Sequence, residues 1–429
     1  MRLNYKRTLL VGLAFLSVSA FWQLYDAIIP LILKNTFAMG DGDAGVIMAL
    51  DNVLALFMLP LFGALSDKCR APMGRRMPFI LAGTAASAVL LTLLPVADNL
   101  QNAVFFYVVL GLLLIAMGTY RSPAVALMPD VTPKPLRSKG NAVINLMGAL
   151  GGIFSLLVIK LLVKTSEDVG FRTDYSLVFL IVALFMAAAV AVLAFTVRER
   201  KLSQEIGEAD PEKAETSPAA KKAEKMSPPL FRSLILILCS VSLWFMGYNA
   251  VTTAFSKYAQ EMWGKGAGDA AMCLMVATGG AILSFIPVGF LSARFGRKRM
   301  IQFGVALLAA CFAAGTAFTD FTPVLYGLFA LVGMAWACIN VNSYPMVVEL
   351  SRGSDVGKYT GYYYTFSMAA QILTPILSGQ LLEHVGYWTL FPYAAGMVAL
   401  SFITISLTRH GDNRPEPPKS KLEAFDVGD

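Results

Sequence analysis

Charge is scarce in this chain. Only 15% of its 429 residues are Asp, Glu, Lys or Arg, and 56% are hydrophobic, whereas a soluble domain carries nearer a quarter charged residues. Histidine is scarcer still. His384 and His410 both lie outside the apolar runs, which excludes a histidine proton relay and a Ser/His/Asp set within them. The five cysteines, Cys69, Cys239, Cys273, Cys311 and Cys338, form no CxxC and have no histidine pair beside them. Neither a metal site nor a redox pair is therefore implied. HExxH, G-x-S-x-G and GxxxxGK[ST] are missing too, which argues against a membrane-embedded enzyme and an ATP-driven pump. A net charge of +7 would suit nucleic acid in a soluble protein, but the basic residues here sit in short segments between apolar runs. No nucleic acid, metal or organic cofactor is expected.

Long apolar runs are what the chain has in abundance. A run of about 18–25 residues crosses a bilayer as a helix. Twelve occur, at about 8–33, 44–66, 78–96, 102–129, 139–163, 175–197, 231–256, 269–291, 300–318, 322–350, 357–382 and 387–408. The expected fold class is an all-α membrane protein with twelve transmembrane helices in two pseudo-symmetric six-helix halves, residues 1–197 and 231–409. Residues 198–230 are rich in Pro, Ala, Glu and Lys without apolar periodicity and read as a solvated linker; 410–429 read as a tail of the same kind. The opening residues imitate a signal peptide. The apolar run continues to Leu33, however, so the segment reads as the first transmembrane helix. With both termini and the linker on one side, 28 of the 35 Lys and Arg residues fall on that side and six on the other. The positive-inside bias makes that side the cytoplasm of a cell membrane.

The halves carry related sequence at matching places. Gly63-Ala64-Leu65-Ser66-Asp67 follows the second run and leads to Gly74-Arg75-Arg76. Gly289-Phe290-Leu291-Ser292-Ala293 follows the eighth and leads to Gly296-Arg297-Lys298-Arg299. The leading glycines, at 63 and 289, lie 226 residues apart, one half-length. Glycine lets two helices approach closely, the acid can face a helix N-terminus, and the basic cluster stays at the membrane surface. Repeats of this kind place a substrate site at their interface, near midmembrane.

These segments resemble the G-x-L-x-D-(R/K)-x-G-R-(R/K) motif of the major facilitator superfamily. The resemblance implies alternating-access transport without an enzymatic step. It also implies a cytoplasmic gate motif made of Gly63, Asp67, Gly74, Arg75, Arg76, Gly289, Gly296 and Arg297. Four extra residues separate Asp67 from Gly74. The resulting string from Ser66 to Phe79 looks like the S-D-R-C-x-S-R-x-G-R-R-R-P-F signature of sucrose–proton symporters and the related glycoside–pentoside–hexuronide cation symporters. That likeness implies uptake of a disaccharide such as sucrose or maltose. Val125 stands where plant sucrose symporters carry a fourth-span arginine, and their fourth-span aspartate has no counterpart. Ala55 and Leu59 replace the paired acids of melibiose-type second spans.

An ionisable residue inside a span is costly and marks a cavity or a partner. Asp26 lies seven residues before Leu33, and Asp51 lies seven after Ala44, so both sit roughly 10 Å below the outer surface. Two neighbouring carboxylates in low dielectric cannot both ionise cheaply, so Asp26, helped by Asp51, is the expected coupling site for a proton or for sodium. Arg121 is counted at roughly 12 Å and Asp26 at about 27 Å from the cytoplasmic side. On that count a direct pair needs bent helices, and Asn141 and Asn145 are closer in depth. Arg121 is expected either to bond solute hydroxyls or to lock helices through carbonyls and Asp130. Polar-aromatic faces recur at helical spacing: Trp22 and Gln23; Trp244, Tyr248 and Asn249; Trp336, Asn340 and Tyr344; Tyr364 and Gln371. Together with Arg121 and Asn145, these are the expected solute-binding residues, lining the bundle interior because polar groups have no place against lipid. Tyr387 and Trp388 read as interfacial anchors. The expected partner is a small polar solute, a sugar, handled by a monomer in the bilayer; an efflux antiporter for drugs or sugars is the alternative.

Overall fold

A computed structural model describes residues 4–133, 137–163, 173–202, 227–350 and 356–412. Twelve long helices occur among them: α1 (Tyr5–Asn35), α2 (Asp41–Lys68), α3 (Met77–Asn99), α4 (Ala103–Asp130), α5 (Arg137–Leu162), α6 (Ser176–Thr196), α7 (Pro228–Trp263), α8 (Ala267–Phe295), α9 (Arg297–Gly315), α10 (Val324–Val348), α11 (Val356–His384) and α12 (Leu390–Ser406). A 3-10 turn, Tyr387–Thr389, leads into α12, and no strand occurs among the described residues. Eleven helices are long and apolar enough to cross a membrane. The exception is α11, whose tyrosine run and two glutamines dilute its apolar content. Most of the 198–230 linker (203–226) and of the tail (413–429) lies outside the described residues.

Local chemistry sets the helix ends. The Asn4 side chain accepts the Arg7 N–H at 3.1 Å to cap α1, and Asn102 caps α4 through the Phe105 N–H at 3.0 Å. Pro228 and Pro229 open α7, and Gly264, in the left-handed conformation at φ 59°, stops it. Short connections turn successive helices antiparallel. The bundle therefore has a near end, where α1 begins and α12 finishes, and a far end.

Packing divides the helices into two groups of six. In the first, α1 packs on α4, α5 and α6, α3 packs on α4 and α6, and α2 packs on α4. In the second, α10 packs on α8 and α9, α12 on α7 and α9, and α11 on α7. The halves meet through α1 with α7, α2 with α11 and α5 with α8. Exchanging the halves maps α2–α11 onto α8–α5 and α1–α7 onto itself, as a six-plus-six repeat requires. The α2–α11 contact is backbone-close: a Cβ on Gly45 would strike the Pro375 carbonyl, and one on Gly379 the Asp41 carbonyl. Outward faces carry exposed apolar residues such as Phe57, Phe195 and Leu283, as lipid contact demands.

Candidate solute-binding site

Between the halves lies a cavity of about 220 Å³. Trp22 and Asp26 of α1, Met48, Asp51 and Asn52 of α2, and Arg121 of α4 form one wall. Asn249, Thr252 and Thr253 of α7 and Gln371 and Pro375 of α11 form the other. The Asn52 amide donates to Asp51 at 2.7 Å. The Arg121 guanidinium lies 5.2 Å from the Trp22 ring centroid, a cation–π contact. The Asn249 amide nitrogen is buried and has no hydrogen-bond partner among the described residues, a donor left over for a solute or water. The cavity thus offers two carboxyls, one guanidinium, two amides facing from the second half, and one indole.

Six of the expected residues come together here: Trp22, Asp26, Asp51, Arg121, Asn249 and Gln371. Counting residues separated Arg121 from Asp26 by about 15 Å along the membrane normal, yet both line this cavity. Side-chain direction closes the gap. In a helix each Cα–Cβ bond tilts toward the N-terminus; α1 starts at the near end and α4 at the far end, so the two side chains lean toward each other. Asp130, the other partner considered for Arg121, pairs with Arg75 and Arg76.

The remaining expected residues lie elsewhere. Trp244 is fully enclosed in the core. Tyr248 and Trp336 stack on each other, with centroids 3.8 Å apart and 7° between planes, so each covers a face the other would have offered to a sugar. Tyr344 bonds Thr360 at 3.0 Å and clusters with Tyr363 and Tyr364. Gln23 packs toward Gly152 of α5, the Asn340 carbonyl accepts from Ser343, and Asn145 sits half-buried on α5. None of these lines the cavity.

Toward the far end the cavity is sealed. Pro30, Met48, Thr253, Pro375 and Gly379 pack around a gap of about 10 Å³, hardly the space one water needs. A polar layer lies beyond. Lys257 Nζ meets Asp41 at 2.6 Å, with side chains 6% and 9% exposed. Tyr387 donates to the other Asp41 oxygen and accepts from Lys34 Nζ, which also pairs with Glu261 at 2.7 Å. The Gly42 N–H donates to Glu383 at 2.6 Å, and Lys160 pairs with Asp269 at 2.9 Å. Each contact joins one half to the other. Tyr387, read from sequence as an interfacial anchor, is instead part of this closure, while Trp388 is 58% exposed. These charges were missed because charged residues at span ends are ordinary. Their spacing was the available signal: Trp22, Asp26, Pro30 and Lys34, like Gln371, Pro375, Gly379 and Glu383, recur every four residues.

At the near end the motif residues pair within each half. Arg75 Nη2 and Nε reach Asp130 at 2.5 and 3.1 Å, and Arg76 Nε reaches it at 2.8 Å. Arg76 also bonds Asp67, the Ser66 hydroxyl and, at 3.2 Å, the Gly63 carbonyl. Asp67 was expected to face a helix N-terminus, but its partner is Arg76. The helix N-terminus is taken by Glu199, 1% exposed, whose carboxylate accepts the Arg75, Arg76 and Met77 N–H groups at 2.9 Å. It lies against Gly74, whose φ of 125° suits glycine. The second half repeats the device: Arg297 pairs with Glu349 at 2.7 Å, and Asp412 accepts the Lys298 N–H at 2.9 Å beside Gly296. Gly289 lies buried in α8.

The profile of the Major Facilitator Superfamily matches residues 11–283 and 263–427. The sucrose transport protein SUC3 of Arabidopsis thaliana is 29% identical over 151 residues, which cover 31% of this chain and 25% of that protein. Two relatives match along nearly their whole length. The uncharacterized MFS-type transporter YuxJ of Bacillus subtilis is 21% identical over 90% of this chain and 96% of its own. The multidrug resistance protein MdtG of Klebsiella pneumoniae is 21% identical over 98% of each. Among solved structures, a mutant of the nucleoside transporter NupG superposes with a TM-score of 0.68 at 16% identity, covering 94% of this chain and 99% of that one. A bacterial homolog of the lysosomal transporter Spinster, inward-facing and occupied, reaches 0.64 at 15%, covering 95% of each. With its twelve helices, its internal repeat and this profile match along both halves, the chain belongs to the Major Facilitator Superfamily of membrane transporters.

Proposed function

We propose that the protein imports a neutral polar solute, a disaccharide such as sucrose or maltose, by proton-coupled symport across a cytoplasmic membrane. The carrying observation is that Asp26, Asp51 and Arg121 share one cavity between the halves. The termini and linker lie in the cytosol, a reading supported by the basic bias of that side. The near end is then the cytoplasmic end. With the far end sealed by the Asp41–Lys257 layer, the cavity is closed to the outside in this state. When the far end opens, a proton from outside reaches Asp26. Its protonation leaves Asp51 as the single anion beside Arg121 and removes the repulsion between two carboxylates in low dielectric. Arg121, Asn249 and Gln371 then have donors for hydroxyls, and Trp22 has a face for a sugar ring. Sodium in place of the proton uses the same carboxyls. The protein works as a monomer, since each chain carries a whole cavity.

The test is uptake of radiolabelled sucrose and maltose by purified protein in proteoliposomes, with and without an inward proton gradient. Gradient-driven accumulation is expected; its absence in correctly oriented vesicles for both sugars overturns the solute assignment. A second reading, proton-coupled efflux, draws support from the full-length similarity to MdtG. Against it stands the cavity lining, where Met48 and Trp22 are the large apolar members among polar neighbours. In the same vesicles an exporter would expel a loaded drug or sugar when the proton gradient is imposed.

A further inference from the structure

A second cleft, of about 630 Å³, opens at the near end of the second half, where α7 and α9 begin and α12 ends. Its chemistry is one-sided. Arg232, Lys298, Arg409 and His410 line it, and among the described residues no carboxylate does. Lys298 Nζ is engaged, donating to the Ser406 and Thr408 carbonyls at 3.0 and 2.7 Å. The Arg232 and Arg409 guanidiniums are exposed, and no ion pair or side-chain hydrogen bond holds either among the described residues. The acid closest in sequence, Asp412, is committed to the Lys298 N–H. Ser233, at the base of the cleft, bonds His410 Nδ1 at 2.8 Å. The lipid-facing surface begins immediately below: Phe231, Ile235, Ile403 and Leu407 are exposed apolar side chains on the same two helices, α7 and α12, and the residue that follows α12.

Two guanidiniums without a partner among the described residues, beside an apolar face, fit a phosphate that has acyl chains beneath it. Guanidinium binds phosphate through paired N–H groups, and basic pockets between helices at the cytoplasmic surface hold anionic headgroups. We propose that this cleft is a binding site for an anionic phospholipid, its phosphate held by Arg232 and Arg409 and its chains lying along α7 and α12. The shared chemistry is a phosphate, so a free anion is the competing source. The assignment needs the chain to be a membrane protein but is independent of which solute it carries.

The test is native mass spectrometry of the detergent-purified full chain with dioleoylphosphatidylglycerol, dioleoylphosphatidylcholine or inorganic phosphate. At about fivefold per basic residue at an anionic surface, the two arginines predict a preference for phosphatidylglycerol on the order of 30-fold. The R232Q/R409Q variant should reduce that preference to near unity. R299Q, which removes an exposed charge at the same end outside the cleft, should leave it intact. Equal binding of the two lipids overturns the proposal, as does an equal loss in R299Q. Displacement of phosphatidylglycerol by millimolar phosphate assigns the site to a free anion and overturns the lipid assignment.

Discussion

Asp41→Asn removes the negative charge from the centre of the far-end closure while keeping the size of the side chain and one acceptor oxygen. In the closed state Asp41 meets Lys257 at 2.6 Å, both nearly enclosed, and accepts from Tyr387 on its other oxygen. Breaking a buried pair by neutralising one partner leaves an uncompensated charge, at a cost of about 3–5 kcal/mol. Glu383, bound to the Gly42 N–H nearby, offsets part of that cost, which favours the low end. Once the far end opens, Lys257 regains water and the penalty disappears. The closed-to-open equilibrium should therefore shift by about 10²- to 10³-fold. Ser378, 4% exposed in the packed layer below the pair, provides the reporter. With the five native cysteines replaced, Ser378→Cys should react far faster with an impermeant maleimide in the Asp41→Asn background. Adding Lys257→Met removes the orphan charge and should slow the reaction again. A labelling rate unchanged by Asp41→Asn, or a double variant as open as the single one, would refute the reasoning.

Four further substitutions separate the parts of the molecule. Gly45→Val places a branched side chain against the Pro375 carbonyl; overpacking of about 1–3 kcal/mol should raise the same labelling rate roughly 10- to 100-fold, and an unchanged rate would mean that α2 and α11 do not need this approach. Asp26→Asn should abolish gradient-driven accumulation while sparing solute counterflow. Wild-type accumulation should fall as the outside pH rises, because the carboxyl must collect its proton there, and the variant should be flat with pH; accumulation that survives the change would remove Asp26 from coupling. Glu199→Gln weakens a carboxylate cap on three backbone N–H groups and should cost about 2–3 kcal/mol, read as a lower unfolding midpoint in detergent. Asp412→Asn, exposed and holding one such group, should cost less.

Span count and repeat were legible because bilayer thickness fixes the length of an apolar run and duplication leaves its trace in the glycine-led loops. The cavity was legible only in part. Asp26 and Asp51 stood out because an acid in an apolar run has few reasons to be there. The reach of Arg121 was underestimated because residue counting locates a Cα, whereas an arginine acts at the end of a long side chain whose direction depends on helix polarity. Trp244, Tyr248 and Trp336 misled for a different reason: an aromatic at helical spacing has the same signature whether its face meets a ligand, a neighbouring ring or the core. Glu199 escaped notice because the polar stretch around it reads as solvated, and nothing local reveals that four residues near Gly74 fold back to meet it.

The far-end closure and the cavity belong to one set of helix faces. On α1, Trp22, Asp26, Pro30 and Lys34 run from cavity to closure; on α2, Asn52, Met48, Gly45 and Asp41 do so. On α7 the series is Asn249, Thr253 and Lys257, and on α11 it is Gln371, Pro375, Gly379 and Glu383. Spacings of three and four residues keep each series on a single face, and all four faces point at the seam between halves. Between the polar closure and the charged cavity lies the packed layer of Pro30, Met48, Thr253, Pro375 and Gly379, with space for at most one water. Rigid movement of α2 from α11 must therefore break the Asp41 layer, part the packed layer and wet Asp51 and Asp26, because no helix can present one of these without the others. Access of a proton to the acids and access of a solute to Arg121 are thus governed by the same displacement. The proposed coupling requires such a shared displacement, and the helix period with the small residues at Gly45 and Gly379 provides a seam for it.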